Sequence, residues 1–79
     1  MSSGLWTDGP GGVFAPHSHP YHKSLRCVKG SITFTILGGD APRDVLLRPG
    51  DTLEIAAETP HCATVGPEGV TCAETQRFG

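Results

Sequence analysis

Apolar and polar residues alternate with a period of two through the middle of the chain. Residues 31–37 read Ser-Ile-Thr-Phe-Thr-Ile-Leu, with Ile32, Phe34 and Ile36 on one face and Ser31, Thr33 and Thr35 on the other. That is the signature of a strand with one buried face. Leu53 and Ile55 alternate with Thr52 and Glu54 in the same way, and Val45, Leu46 and Leu47 form an apolar run closed by the turn pair Pro49-Gly50. Between residues 23–28 and 31–37 stands Lys29-Gly30. A glycine there supplies the positive φ of a tight turn, which predicts a hairpin. Gly66-Pro67-Glu68-Gly69 predicts a second hairpin, between residues 61–65 and 70–78. Adding residues 13–19, the pattern predicts about seven short strands in a closed or sandwich-like antiparallel array, an all-β fold.

Composition narrows this further. The chain has 79 residues, of which 11 are glycine and 7 proline, and the longest stretches free of both are nine residues. A helix of that length would reach only about 13–14 Å. Bundles and coiled coils are therefore excluded, and residues 1–79 are expected to form one domain. The net charge is −2, and the six cations are scattered along the sequence rather than gathered into a basic stripe. No nucleic-acid partner is expected from such a distribution. No apolar run approaches the ~20 residues that cross a bilayer, and the N-terminal residues lack the pattern of a secretory signal. The expected setting is cytoplasmic, without membrane attachment. Cys27, Cys62 and Cys72 are odd in number and form no CxxC pair, so they are read as reduced thiols. Gly9-Pro10-Gly11-Gly12 lacks the Lys-Ser/Thr of a phosphate loop and is read as a turn.

The chemistry lies in the histidines. Three of the four fall within His17-Ser18-His19-Pro20-Tyr21-His22, and the fourth is His61. On a strand, residues two apart share a face, so His17 and His19 can converge on one metal ion. By itself a His-x-His pair is a weak signal. Around it, Gly11 precedes His17, Gly30 follows, and a second glycine-to-histidine block runs from Gly50 to His61.

This arrangement resembles the cupin superfamily of small jelly-roll barrels (double-stranded β-helices) that hold a metal in the barrel mouth. The first family motif, G(X)5HXH(X)3,4E(X)6G, is matched by Gly11, His17, His19 and Gly30; the second, G(X)5PXG(X)2H(X)3N, by Gly50 and His61. The two span residues 11–65.

Departures from the motifs bear on the site. Lys23 stands where the first motif has its glutamate, and Ala56, Glu58 and Val65 replace the Pro, Gly and Asn of the second. A charged ammonium has no lone pair and cannot ligate. Either His22 turns inward, giving a set of His17, His19, His22 and His61, or Lys23 occupies the pocket and the site is three-histidine or metal-free. Parity favours Lys23, which shares a face with Leu25 and Cys27, but Pro20 interrupts the strand before it. Glu54, Glu58 and Glu74 are candidates for an acid or base, with solvated positions expected.

The resemblance implies a divalent transition metal (Fe, Mn, Ni, Cu or Zn) on a histidine-based site, and a dioxygenase-like metalloenzyme acting on a small organic molecule. The alternatives are a module that binds or senses a small molecule or metal without turnover, and a structural cupin whose metal site is lost at Lys23. So small a chain without disulfides has little stability margin. A homodimer is expected, as the resemblance also implies, with the segment holding Leu5 and Trp6 crossing to the partner sheet.

Overall fold

The structure, a computed structural model, describes residues 2–78, with the side chains of residues 2 and 3 left aside. Six antiparallel strands make up the fold: β1 (Ser2–Asp8), β2 (Val13–His17), β3 (His22–Ile36), β4 (Arg43–Leu47), β5 (Thr52–Ile55) and β6 (His61–Arg77). No helix occurs among the described residues.

Two long strands organise everything else. β3 and β6 pair with each other from His22–Arg77 to Ile36–His61. Each then takes a different outer neighbour along each half of its length. The first part of β3 pairs with β5 and the last part with β4. The first part of β6 pairs with β2 and the last part with β1. The result is two four-stranded layers, β2-β6-β3-β4 and β1-β6-β3-β5, that share their two central strands. It is a small cupin-type jelly roll.

The two expected hairpins are not there. At Lys29-Gly30 and at Gly66–Gly69 the chain does not reverse but bends from one layer into the other. Gly30 and Gly69 have φ of +76° and +79°, and a Cβ on Gly30 would lie 2.0 Å from the Gly69 carbonyl oxygen. Positive φ serves a bulge as readily as a turn, and here the two bends fit closely against each other. The expected strands at 23–28 and 31–37 are thus halves of β3, and those at 61–65 and 70–78 are halves of β6. β1 is an additional strand.

The bends also shift the side-chain phase. In β3 the buried residues are Leu25 and Cys27 before the bend and Ile32, Phe34 and Ile36 after it. In β6 they are His61, Ala63 and Val65, then Val70 and Cys72. Register shifts between Cys27 and Lys29 and between Gly30 and Ile32 produce the change in β3. Both layers consequently turn apolar faces inward onto one core, to which β4 and β5 add Leu47, Leu53 and Ile55.

β1 pairs with β6 of its own chain along its whole length, from Ser2–Gln76 to Asp8–Val70. Within the single chain the N-terminal segment thus completes its own sheet. Trp6 packs inward edge-on against Phe14 of β2, with ring centroids 5.7 Å apart, and this contact joins the two layers at one end of the core.

Candidate metal centre

Proline shapes the histidine segment. Pro16 has no N–H to give to a ladder, and the β2–β6 register shifts between Phe14 and His17. His17 thereby comes to lie directly opposite His61, the first residue of β6. His61 also pairs with Ile36 of β3 on its other side. His19 follows beyond the end of β2, where its carbonyl accepts a 2.6 Å hydrogen bond from the Glu58 N–H. Glu58 has φ of +63°; it occupies the second motif's glycine position, and the left-handed backbone explains the family's preference there.

These elements bring three imidazoles together. Ring centroids are 4.7 Å apart for His17 and His19, 4.5 Å for His17 and His61, and 5.1 Å for His19 and His61. One ligand atom from each lies within 4.8 Å of the others, a spacing that side-chain rotation can close onto one ion.

The tautomers are fixed by the backbone. His17 Nδ1 lies 2.6 Å from the Ala15 carbonyl oxygen, and His61 Nδ1 lies 2.8 Å from that of Thr59. A carbonyl only accepts, so each Nδ1 carries the hydrogen and each Nε2 of the neutral ring presents a lone pair. This is the outer hydrogen bond that metal-bound histidines almost always make. His19 Nε2 and His61 Nε2 are buried and have no hydrogen-bond partner among the described residues. Buried polar atoms are rarely left so, because each costs about 1–3 kcal/mol. A metal ion would satisfy both, and an all-nitrogen donor set suits borderline transition metals. The residues fit such an ion.

Burial lowers the pKa of His19, and the nearby charges of Lys23, His17 and His61 lower it further. Burial likewise lowers that of His61, against the opposing hydrogen bond to Thr59. Neutral, ligating imidazole is thereby favoured.

His22 is not brought to the cluster. Its Nε2 lies 2.6 Å from Glu54 Oε1 on the outer face, and Ser24 Oγ donates to the same oxygen at 2.8 Å. The His22 and Ser24 hydrogen bonds hold the Glu54 carboxyl below its usual value. Parity persists through this part of β3, which puts Lys23 inside.

Lys23 Nζ lies 3.1 Å from Glu74 Oε1, both side chains being largely buried. The same oxygen accepts from Trp6 Nε1 at 3.0 Å, and Glu74 Oε2 accepts from Gln76 Nε2 at 2.6 Å. Burial alone would raise the Glu74 carboxyl, but Gln76, Lys23 and Trp6 together bring it below its usual value. The pair borders a cavity of about 400 Å³ that His17 and His61 also line, with Trp6, Phe14 and Phe34 as its apolar wall.

Glu74 is the site residue that sequence reasoning placed elsewhere. Glu74 was expected in solvent, yet it continues the inward alternation of Val70 and Cys72, and that alternation was the available signal. Glu54 and Glu58 are exposed, as expected.

The sequence profile described as the cupin domain matches residues 4–71. No curated protein matches the sequence. Among solved structures, the CENP-C cupin domain of Drosophila melanogaster superposes with a TM-score of 0.86 at 15% identity, covering 95% of this chain and 59% of that one. An oxalate decarboxylase from Bacillus subtilis, a protein with Mn(II) centres, superposes with a TM-score of 0.88 at 20% identity, covering 98% and 21%. An oxalate oxidase gives 0.85 at 22% identity, covering 96% and 41%. The chain spans less than two thirds of the length of each, and at these identities the likeness concerns the fold. With the profile extending over most of the sequence and the jelly roll shared, this chain belongs to the cupin domain family.

Proposed function

We propose that this cupin binds a divalent transition metal through His17, His19 and His61 and presents it to a small organic molecule in the adjoining cavity. The observation that carries this reading is the pair of buried, unpartnered Nε2 atoms on His19 and His61, beside a His17 ring fixed in the same ligating tautomer. The Mn(II) centres of the oxalate decarboxylase, which shares the fold, agree with it. A metal so held, with one side open to a cavity, supplies Lewis acidity or redox chemistry; a dioxygenase-like oxidoreductase is the corresponding activity. The chain's own residues supply an aromatic wall for an apolar body and Lys23 as a cation for an oxygen-rich group. Metal analysis of protein purified without a histidine tag tests this directly. Stoichiometric metal that is lost in His61→Ala supports it, and metal-free protein that takes up neither zinc nor manganese refutes it.

A second reading is favoured by Lys23. It stands at the family's glutamate position and holds Glu74 in an ion pair, so the site lacks a free anionic ligand. This suits a module that binds metal or a small molecule without turnover. Loaded protein that binds an organic ligand yet consumes no dioxygen supports this reading over the first.

The homodimer remains part of the proposal. β1 pairs only with β6, which leaves its other edge free among the described residues, and Leu5 on it is 71% exposed. An exposed strand edge is a template for a second copy. Sedimentation at micromolar concentration decides between monomer and dimer. Among the described residues no helix is long and apolar enough to cross a membrane.

A further inference from the structure

Cys27 and Cys72 lie directly opposite each other on β3 and β6. The backbone defines the kind of pair they form. The Cys27 N–H donates to the Asp51 carbonyl at 2.9 Å, and the Cys27 carbonyl accepts from the Gly50 N–H at 2.9 Å. Both backbone groups of Cys27 thus point away from β6. The Cys27–Cys72 pair is therefore a non-hydrogen-bonded pair of the antiparallel ladder, in which Cα atoms stand only about 4.5 Å apart and side chains are closer than at neighbouring pairs. A disulfide spans Cα separations of about 4.4–6.8 Å. Both side chains are on the inner faces and fully buried, and the reduced Cys27 thiol donates weakly to the Lys29 and Gly30 carbonyls at 3.7 and 3.6 Å. The β3 bulge immediately after Cys27 gives that residue room to adjust.

We propose that Cys27 and Cys72 are a dithiol set to close a cross-strand disulfide, which clamps β3 to β6 beneath the Lys23–Glu74 pair. The argument is independent of the metal reading, since it rests on register alone. Cys62 takes no part. It is partly exposed, lies opposite Thr35 and faces away from the core.

Burial raises both thiols, Cys72 to about 11. The reduced form is consequently inert at neutral pH until the strands open locally and a small oxidant enters. With diamide the chemistry balances as follows. One thiol adds across the N=N bond, its sulfur to one nitrogen and its hydrogen to the other. The second sulfur attacks the first, the S–N bond breaks, and the hydrazine leaves with both hydrogens. The protein loses two hydrogen atoms and gains one S–S bond.

The test uses the wild-type chain and Cys62→Ser. Each is treated with diamide, denatured, alkylated and mapped by mass spectrometry. The expected result is a monomer-internal bond between Cys27 and Cys72, with Cys62 of the wild type alkylated. Thermal melting should rise on the order of 10 °C and return on reduction. Recovery of Cys27 and Cys72 both alkylated, after treatment that fully oxidises dithiothreitol, overturns the proposal. So does a bond between chains in Cys62→Ser, or an internal bond that lowers the melting temperature.

Discussion

Lys23 and Glu74 meet 3.1 Å apart on the inner faces of β3 and β6, at the edge of the histidine cluster. A cation therefore sits where the family motif has a carboxylate, while a carboxylate from another strand lies beside it. The negative charge is present in the barrel but is engaged by Lys23, Trp6 and Gln76. If His17, His19 and His61 hold a metal as proposed, that arrangement bears on its affinity along with the histidines.

Lys23→Glu should tighten metal binding by about tenfold or more, because it removes a repelling charge and adds an anionic ligand at the family position. Isothermal titration with zinc measures this. Unchanged affinity would mean that the new carboxylate does not reach the ion.

Substituting His61 with Ala should weaken zinc binding by more than the roughly 10–100-fold typical of losing an outer partner. His17→Ala and His19→Ala should behave similarly. His22→Ala should leave affinity nearly unchanged, since His22 is bonded to Glu54 on the outer face. A His22 variant as impaired as the His61 variant would relocate the site.

The metal-free protein should lose stability as pH falls. His19 and His61 have pKa values lowered by burial in the folded state. The unfolded chain therefore binds more protons, beginning near its own pKa of about 6.5. Stability is full above that pH, declines below it, and levels off once pH passes the folded values. Denaturant midpoints between pH 8 and pH 5 measure the effect, and His61→Gln should reduce the slope. A midpoint that rises on acidification would contradict the lowered values.

Glu58→Gly should stabilise the fold by about 0.5–1 kcal/mol. A non-glycine residue in the left-handed region costs roughly 1–2 kcal/mol, and the added freedom of the unfolded glycine returns part of that. Comparison of denaturant midpoints decides it. Destabilisation would show that the Glu58 side chain contributes more than its backbone strain costs.

The all-β class, the location of the apolar faces and the pairing of His17 with His19 and His61 were all legible in the sequence. Alternation such as Ile32-Thr33-Phe34-Thr35-Ile36 reports which side chains are buried, because strand geometry imposes a period of two on neighbouring residues. Spacing around the histidines did the same for the family. What the sequence left open depended on partners distant in the chain. A positive-φ glycine is compatible with a hairpin or a bulge, and only the fit of Gly30 against Gly69 made β3 and β6 continuous strands that pass from one layer to the other. The choice between His22 and Lys23 depended on whether parity survives Pro20, which the pairing of β3 with β5 and β6 decides. The alternation of Val70 and Cys72 points Glu74 inward, but its meeting with Lys23 and Trp6 arises because β3 and β1 flank the end of β6, and no local pattern records which strands will lie side by side.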